Sequence, residues 1–309
     1  MKRTALARSA EEYLALRRAL GFKLHHHTWF LPQFVAFLAA HRSEIITADL
    51  AVRWAQLPAG AAPSYWARRL SAVRGFARHH RSFDPRTEVP SPDLIPFRSH
   101  RLTPHLFTDS EVAALMREAR ALRGPLQGAT CATLLGLLAA TGMRVGEALA
   151  LDDADVDWSR SLLRVRHAKF QKSRLVPVHA STLAALRAYV ACRERVIPRR
   201  RCRGFFVSRG GARVLHQNFH HTFLRLLRLA GLDKAPGRRP RLHDLRHTFA
   251  MMTLRGWYRS GIDAERRMAS LSTYLGHVSP TRTYWYLTAT PELLALAGKR
   301  LEKARRVRP

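Results

Sequence analysis

In the stretch "LHDLRHTFA", His243 and Arg246 stand three residues apart. On a helix that spacing puts an imidazole and a guanidinium on one face, a pairing suited to holding a phosphate oxygen. His243 and His247 stand four apart with Asp244 beside the first, which is the H-E-x-x-H zinc spacing with Asp in place of Glu. One stretch therefore offers two chemistries, metal-assisted hydrolysis or handling of phosphate. The zinc reading is the weaker. Asp reaches less far than the Glu such sites use, a third ligand is needed, and Arg246 would set a positive charge beside the metal. His247 is then expected to pack or to hydrogen-bond locally.

Four other pieces carry chemistry-bearing side chains. "ATGMRVGEALAL" sets Arg144 just after an apolar helix with Glu147 one turn on, and "HAKFQKSRLVPV" puts Lys169 at the tip of an expected hairpin. "YLGH" supplies His277, and "TRTYWYL" supplies Tyr284 and Tyr286. Each has a plain structural reading. Arg144 and Glu147 would make an ordinary ion pair, Lys169 a solvated turn, His277 a helix-end residue, and the tyrosines core aromatics. Their joint occurrence is harder to explain in that way.

The elements that must position these residues can be read from pattern and charge. The chain has 309 residues, enough for two domains with proper cores. Lys and Arg number 53 against 22 Asp and Glu, a formal net charge of +31. Self-repulsion of that size calls for a polyanionic partner, and double-stranded DNA is the expected one. A membrane is not expected, since the longest apolar run, "CATLLGLLAATGM", is too short to span a bilayer. With no signal peptide at its basic start, the chain is expected in the bacterial cytoplasm with DNA. Cys131, Cys192 and Cys202 lack the number and spacing of a disulfide framework or a cysteine zinc site.

Ser9 and Glu12 stand in capping-box spacing ahead of Tyr13, Leu16 and Leu20, which predicts a first amphipathic helix. Three more helices follow, the fourth in "SYWARRLSAVRGFARHH" with Trp66, Leu70, Val73 and Ala77 as its buried stripe. Arg68, Arg69, Arg74 and Arg78 fall off that stripe and are candidate DNA phosphate contacts. A proline-rich stretch then leads to Thr108 and Glu111, a second capping box. The expected division is a helical domain over 1–96, a linker over 97–106 and a second domain over 107–309.

In the second domain an apolar helix ends at Gly142, and "LLRVR" and "RLVPV" read as a β-hairpin. The acidic run Asp152 to Trp158 mimics the start of a calcium loop. Trp158 stands where such a loop needs Gly, so the run is read as a turn leading into the small sheet. The three histidines at 25–27 are read as surface. The class is mostly α with a small antiparallel β-sheet.

The order Arg144, Lys169, His243-x-x-Arg246, His277, Tyr286, with nine positions between the last two, resembles the tyrosine recombinase, or phage-integrase, family. The "TYWYLTATPELL" ending is similar to members found in trios within mobile elements. The resemblance implies a two-domain DNA clamp, with a helical core-binding domain and a catalytic domain that opens a DNA phosphodiester. It implies Arg144 and Arg246 at the phosphoryl group, His243 and His277 hydrogen-bonding to that group or helping to orient the nucleophile, Lys169 as general acid for the leaving 5′ oxygen, and Tyr286 as nucleophile. Glu147 would hold Arg144 in place, and Tyr284 would pack. It implies no cofactor and no catalytic metal, and a homotetramer or a hetero-assembly of related recombinases on DNA. A catalytically silent DNA-binding protein of the same fold is the alternative.

Overall fold

The computed structural model describes residues 4–22, 24–96, 103–166, 173–234, 239–276, 283–284, 286, 295 and 298. The chain divides into two compact units, Met1–Leu102 and Thr103–Pro309.

Helices α1 (Ala5–Ala19), α2 (His25–Ala40), α3 (Ala48–Gln56) and α4 (Pro63–His80) build the first unit. Helix α1 starts earlier than the Ser9–Glu12 spacing predicts. The Thr4 hydroxyl accepts the Ala7 N–H and caps it, leaving Ser9 inside the helix with its Oγ 2.8 Å from Nδ1 of the buried His80. The buried arc runs through Leu6, Ala10, Tyr13 and Leu14. Leu16 falls about 100° from the centre of that arc at 3.6 residues per turn, and Leu16 and Leu20 are exposed, against expectation. Leu70, Val73 and Ala77 of α4 are buried as predicted, while Trp66 is half-buried with its indole N–H on the Pro58 carbonyl at 3.0 Å.

The arginines of α4 divide. Arg68 and Arg78 are exposed. Arg69 is buried, a correction to its expected place off the stripe: its guanidinium lies 3.8 Å over the Trp54 ring and donates to the Trp54 carbonyl at 2.8 Å. An aromatic face and a carbonyl replace water around the cation, which is how a charge can sit in this core. Arg74 is half-buried and donates to the carbonyls of Pro90 and Ser91 at 2.7 and 3.0 Å, fastening the segment after α4 back onto it.

In the second unit come α5 (Asp109–Arg120), α6 (Pro125–Thr141), α7 (Val145–Ala150), α8 (Ala180–Val196), α9 (His216–Leu229), α10 (Leu242–Arg259) and α11 (Ala264–Leu275), with a sheet between α7 and α8. The Thr108–Glu111 capping box forms as predicted. Helix α6 is apolar on all sides and is buried along its length, the central rod of the main core. A smaller core joins α10 to α11 through Ala250, Met251, Leu254, Met268, Leu271 and Leu275.

The sheet has three antiparallel strands in the order β1 (Val156–Asp157), β2 (Leu162–Val165), β3 (Arg174–Pro177). Leu163 pairs with Val176 and both are buried, while Arg164 faces the exposed Leu175 on the other side. β1 lies inside the stretch expected to be only a turn. Two residues are too few to show alternation, and the turn signal dominates: Asp157 accepts the backbone N–H groups of Ser159 and Arg160 and reverses the chain into β2. The other carboxylates of that run are taken up by arginines. Asp152 pairs with Arg213 and Arg166, Asp153 with Arg193 and Arg200, and Asp155 with Arg166. Among the described residues no helix is long and apolar enough to cross a membrane.

Candidate active site

The site is assembled at the ends of three helices. Helix α6 stops at Gly142, which has φ 60°; a Cβ there would lie 2.5 Å from the Phe249 ring. Only glycine suits both the left-handed backbone and the close approach of α10. The chain then turns into α7, with Arg144 at its N-cap. The Arg144 backbone N–H donates to Glu147 Oε2 at 3.0 Å, and its guanidinium donates to Oε1 at 2.7 Å. Its other amino nitrogen reaches the carbonyl of Gly276, just past α11, at 2.9 Å.

Glu147 has a second cationic neighbour that the sequence reading missed. Arg174, at the start of β3, donates to both carboxylate oxygens at 3.1 and 2.7 Å and through Nε to the Tyr274 carbonyl at 2.8 Å. Burial alone would raise the Glu147 carboxyl; the hydrogen bonds and charge of Arg174, with the hydrogen bonds of Arg144, outweigh it and bring the pKa down to about 2. One carboxylate thus orients two guanidiniums, and Arg174 ties the small sheet to α11. The visible signal was a lone Arg opening "RLVPV"; its burial against another element was not readable.

Asp244 caps α10. Its carboxylate accepts the Arg241 backbone N–H at 2.8 Å and pairs with the Arg241 guanidinium at 2.9 Å, so it is committed to the helix start. Arg246, two residues further, is buried and donates to the Gly142 carbonyl at 2.9 Å and to the Leu275 carbonyl. Arg144 and Arg246 are therefore pinned on adjacent carbonyls at the end of α11. Burial, then the charge of Arg144, lower the Arg246 pKa to about 10, with Tyr286 and Glu147 opposing. It stays a cation at neutral pH. Burial, with Arg246 and Arg144 adding to it, brings the His243 pKa down to about 4, so its imidazole is neutral.

Tyr286 is 2% exposed and belongs to the small core between α10 and α11, whereas Tyr284, expected to pack, is 43% exposed. The Tyr286 hydroxyl lies 3.1 Å from Nδ1 of His247. This corrects the expectation of a local role for His247, since its partner is 39 residues away. The His247 ring stands edge-on to His243, centroids 4.7 Å apart. Burial, then His243, lower its pKa to about 4 as well. Arg144, Glu147, His243, Arg246 and Tyr286 thus come together around the ends of α6, α10 and α11; Lys169 and His277 lie outside the described residues. Two cations with spare N–H donors, two neutral imidazoles and a phenol form a set able to bind an anion and attack it.

The phage integrase family model matches residues 105–292, more than half of the chain. A Sinorhizobium fredii protein named as an integrase/recombinase, y4rB, is 45% identical over 302 residues, 96% of each chain. Tyrosine recombinase XerD of Caulobacter vibrioides is 30% identical over 239 residues, 76% of this chain and 74% of that one. Among solved structures, the Tn1549 transposon integrase in complex with transposon right end DNA superposes with a TM-score of 0.66 at 15% identity, covering 96% of this chain and 98% of that one. The XerH site-specific recombinase bound to a palindromic difH substrate gives a TM-score of 0.63 at 18% identity, over 90% of this chain and 77% of that one. The last two likenesses are of fold; the sequence matches go further, and with them the chain belongs to the phage integrase family of tyrosine recombinases.

Proposed function

We propose that this chain is a site-specific DNA recombinase that cleaves and rejoins strands through a covalent 3′-phosphotyrosine at Tyr286, in integration, excision or transposition. The observation that carries this is the pinning of Arg144 and Arg246 on the adjacent carbonyls of Gly276 and Leu275, with Tyr286 in the core beside them. In-line attack on a phosphodiester builds charge on the non-bridging oxygens, and preorganised guanidiniums stabilise it as it forms. Arg144 and Arg246 take that role. His243 and His277 add hydrogen bonds to the phosphoryl group or help orient the nucleophile, and Lys169 protonates the leaving 5′ oxygen as general acid. The phosphotyrosine conserves the energy of the broken bond, so religation draws on no nucleotide hydrolysis.

The net charge of +31 supports duplex DNA as the partner, as do the recombinase names of the relatives and the DNA held by the structural neighbours. The first unit serves as a core-binding domain, the two units close on DNA as a clamp, and four protomers assemble on two sites.

The test is covalent trapping on duplexes carrying the ends of the encoding element, nicked near the scissile phosphate, in EDTA. A denaturation-resistant adduct lost in Tyr286→Phe and kept in Tyr284→Phe is expected. The exposed Tyr284 is the rival nucleophile, and loss in Tyr284→Phe alone transfers the role to it. Tight binding with no adduct would instead favour a catalytically silent DNA-binding protein.

A further inference from the structure

The proposed reaction leaves one proton without an acceptor. When Tyr286 Oη bonds to phosphorus and the bond to the 5′ oxygen breaks, that oxygen takes its proton from Lys169, while the phenol must surrender its own. His243 stands one turn before His247 on α10, and it is His247 whose ring nitrogen lies 3.1 Å from the Tyr286 hydroxyl. The distance is within reach for direct transfer.

We propose that His247 is the general base for Tyr286, an inference that rests on the recombinase reading above. Carrying its own proton on Nε2, the neutral imidazole presents the Nδ1 lone pair to the phenol. During cleavage the Oη–phosphorus bond forms, the phosphorus–O5′ bond breaks, the phenol proton moves to Nδ1 of His247, and the 5′ oxygen receives the Lys169 proton. Religation runs the same transfers backwards, and His247 returns its proton to the departing phenol. No further reactant is needed.

The surroundings suit a base that must begin uncharged. His243, Arg241 and Arg246 disfavour a proton on His247, Asp244 favours it, and burial disfavours it most. The imidazole is therefore neutral at working pH; the same surroundings oppose its protonation, so the transfer draws on the negative charge that a bound phosphate brings among these cations. The His243 ring packs perpendicular to that of His247, 4.7 Å away, and Tyr286 belongs to the apolar core between α10 and α11. His243 is left to face the phosphoryl group, so the two histidines divide the labour. A purely structural His247 would anchor Tyr286 without taking its proton, and the test must tell these apart.

Single-turnover adduct formation on the nicked duplex, followed over roughly pH 5 to 9, compares wild type with His247→Gln. Glutamine keeps a hydrogen-bonding group of similar reach and takes up no proton. The expected result is a loss of about 100-fold near neutral pH, with the variant's rate then rising with pH as the phenol ionises by itself. Replacing Tyr286 by 3-fluorotyrosine, whose phenol is more acidic, is expected to restore at least about tenfold in the variant and little in wild type. A variant rate within about threefold of wild type overturns the inference. So does a loss that is equal at every pH and unrelieved by fluorotyrosine, which marks an anchor. Absence of any adduct from wild type overturns the recombinase reading itself, and this inference with it. Matching thermal unfolding of the two proteins confirms that the comparison is between folded enzymes.

Discussion

Arg69 in the first unit and Arg246 in the second are both helical arginines and both buried, yet they sit in opposite electrical settings. Arg69 lies on the face of Trp54 with one carbonyl to satisfy it, and the core closes around it. Arg246 is held by two carbonyls beside Arg144, with Arg174 adding to the same excess of positive charge and one carboxylate, Glu147, bonded to Arg144 and Arg174. The first cation is enclosed by its own core, with Nε left without a hydrogen bond there. The second belongs to a cluster whose charge is not balanced from within, and that is the mark of a place built for an anion. Burial of an arginine is therefore not the signal of function; the company of other cations is.

The strongest way to break this contrast is to truncate each arginine. Arg246→Ala is expected to slow adduct formation by about 100- to 1,000-fold, the loss seen when one preorganised transition-state donor is removed. Arg69→Ala, measured on the same substrate well below its unfolding temperature, should leave the chemical step unchanged. It should instead lower stability to urea by about 2–3 kcal/mol, from a lost cation–π contact and a lost hydrogen bond. Comparable effects of the two variants on cleavage would remove the distinction.

The second prediction concerns acid. Glu147 has its pKa depressed from the usual 4.5 to about 2 in the folded protein, so its contribution to stability is fully present above about pH 4.5 and is lost as the pH falls towards 2. A depression of this size is worth on the order of 3 kcal/mol. Arg174→Met should erase much of it, seen as a shallower fall of stability with pH in that window. His243 and His247 add a loss at higher pH. They are neutral when folded and must charge on unfolding, so their contribution is present above about 6.5 and fades as the pH falls towards about 4.

The smallest effects belong to the exposed arginines of α4. Arg68→Ala and Arg78→Ala should each weaken DNA binding evenly across sequences and lower the salt slope by about 1, with stability changed by less than about 0.5 kcal/mol. A titration of affinity against salt concentration checks both. An unaltered slope would take these two residues off the DNA.

What was legible in the sequence follows the range of the interactions. Thr108 with Glu111, the stop at Gly142, the pairing of Arg144 with Glu147 and the two longer strands all rest on neighbours a few residues apart, and the structure contains each. Where a local pattern had a close competitor, it misled: Thr4 caps α1 in place of Ser9, and β1 is too short to alternate. Contacts across the fold left little trace. Arg69 reads like its neighbours Arg68 and Arg78 until Trp54 is placed beneath it. Arg174 reads as a strand-end charge until α7 and α11 meet it. His247, read as a bystander of the His243–Arg246 pair, gains its meaning from a tyrosine 39 residues on.

The carbonyls that hold the two arginines share one further property. Gly142 and Gly276 both follow helix C-termini in left-handed conformations, and each presents its oxygen to a guanidinium. A helix C-terminus carries roughly half a negative charge from its aligned peptide dipoles. Helices α6 and α11 therefore lend the cluster about one unit of negative charge that is bound to the backbone and carries no proton at any ordinary pH. The arginines are tethered and partly neutralised by carbonyls that cannot be exchanged for phosphate, so an arriving strand meets cations already aimed and need not displace these backbone supports.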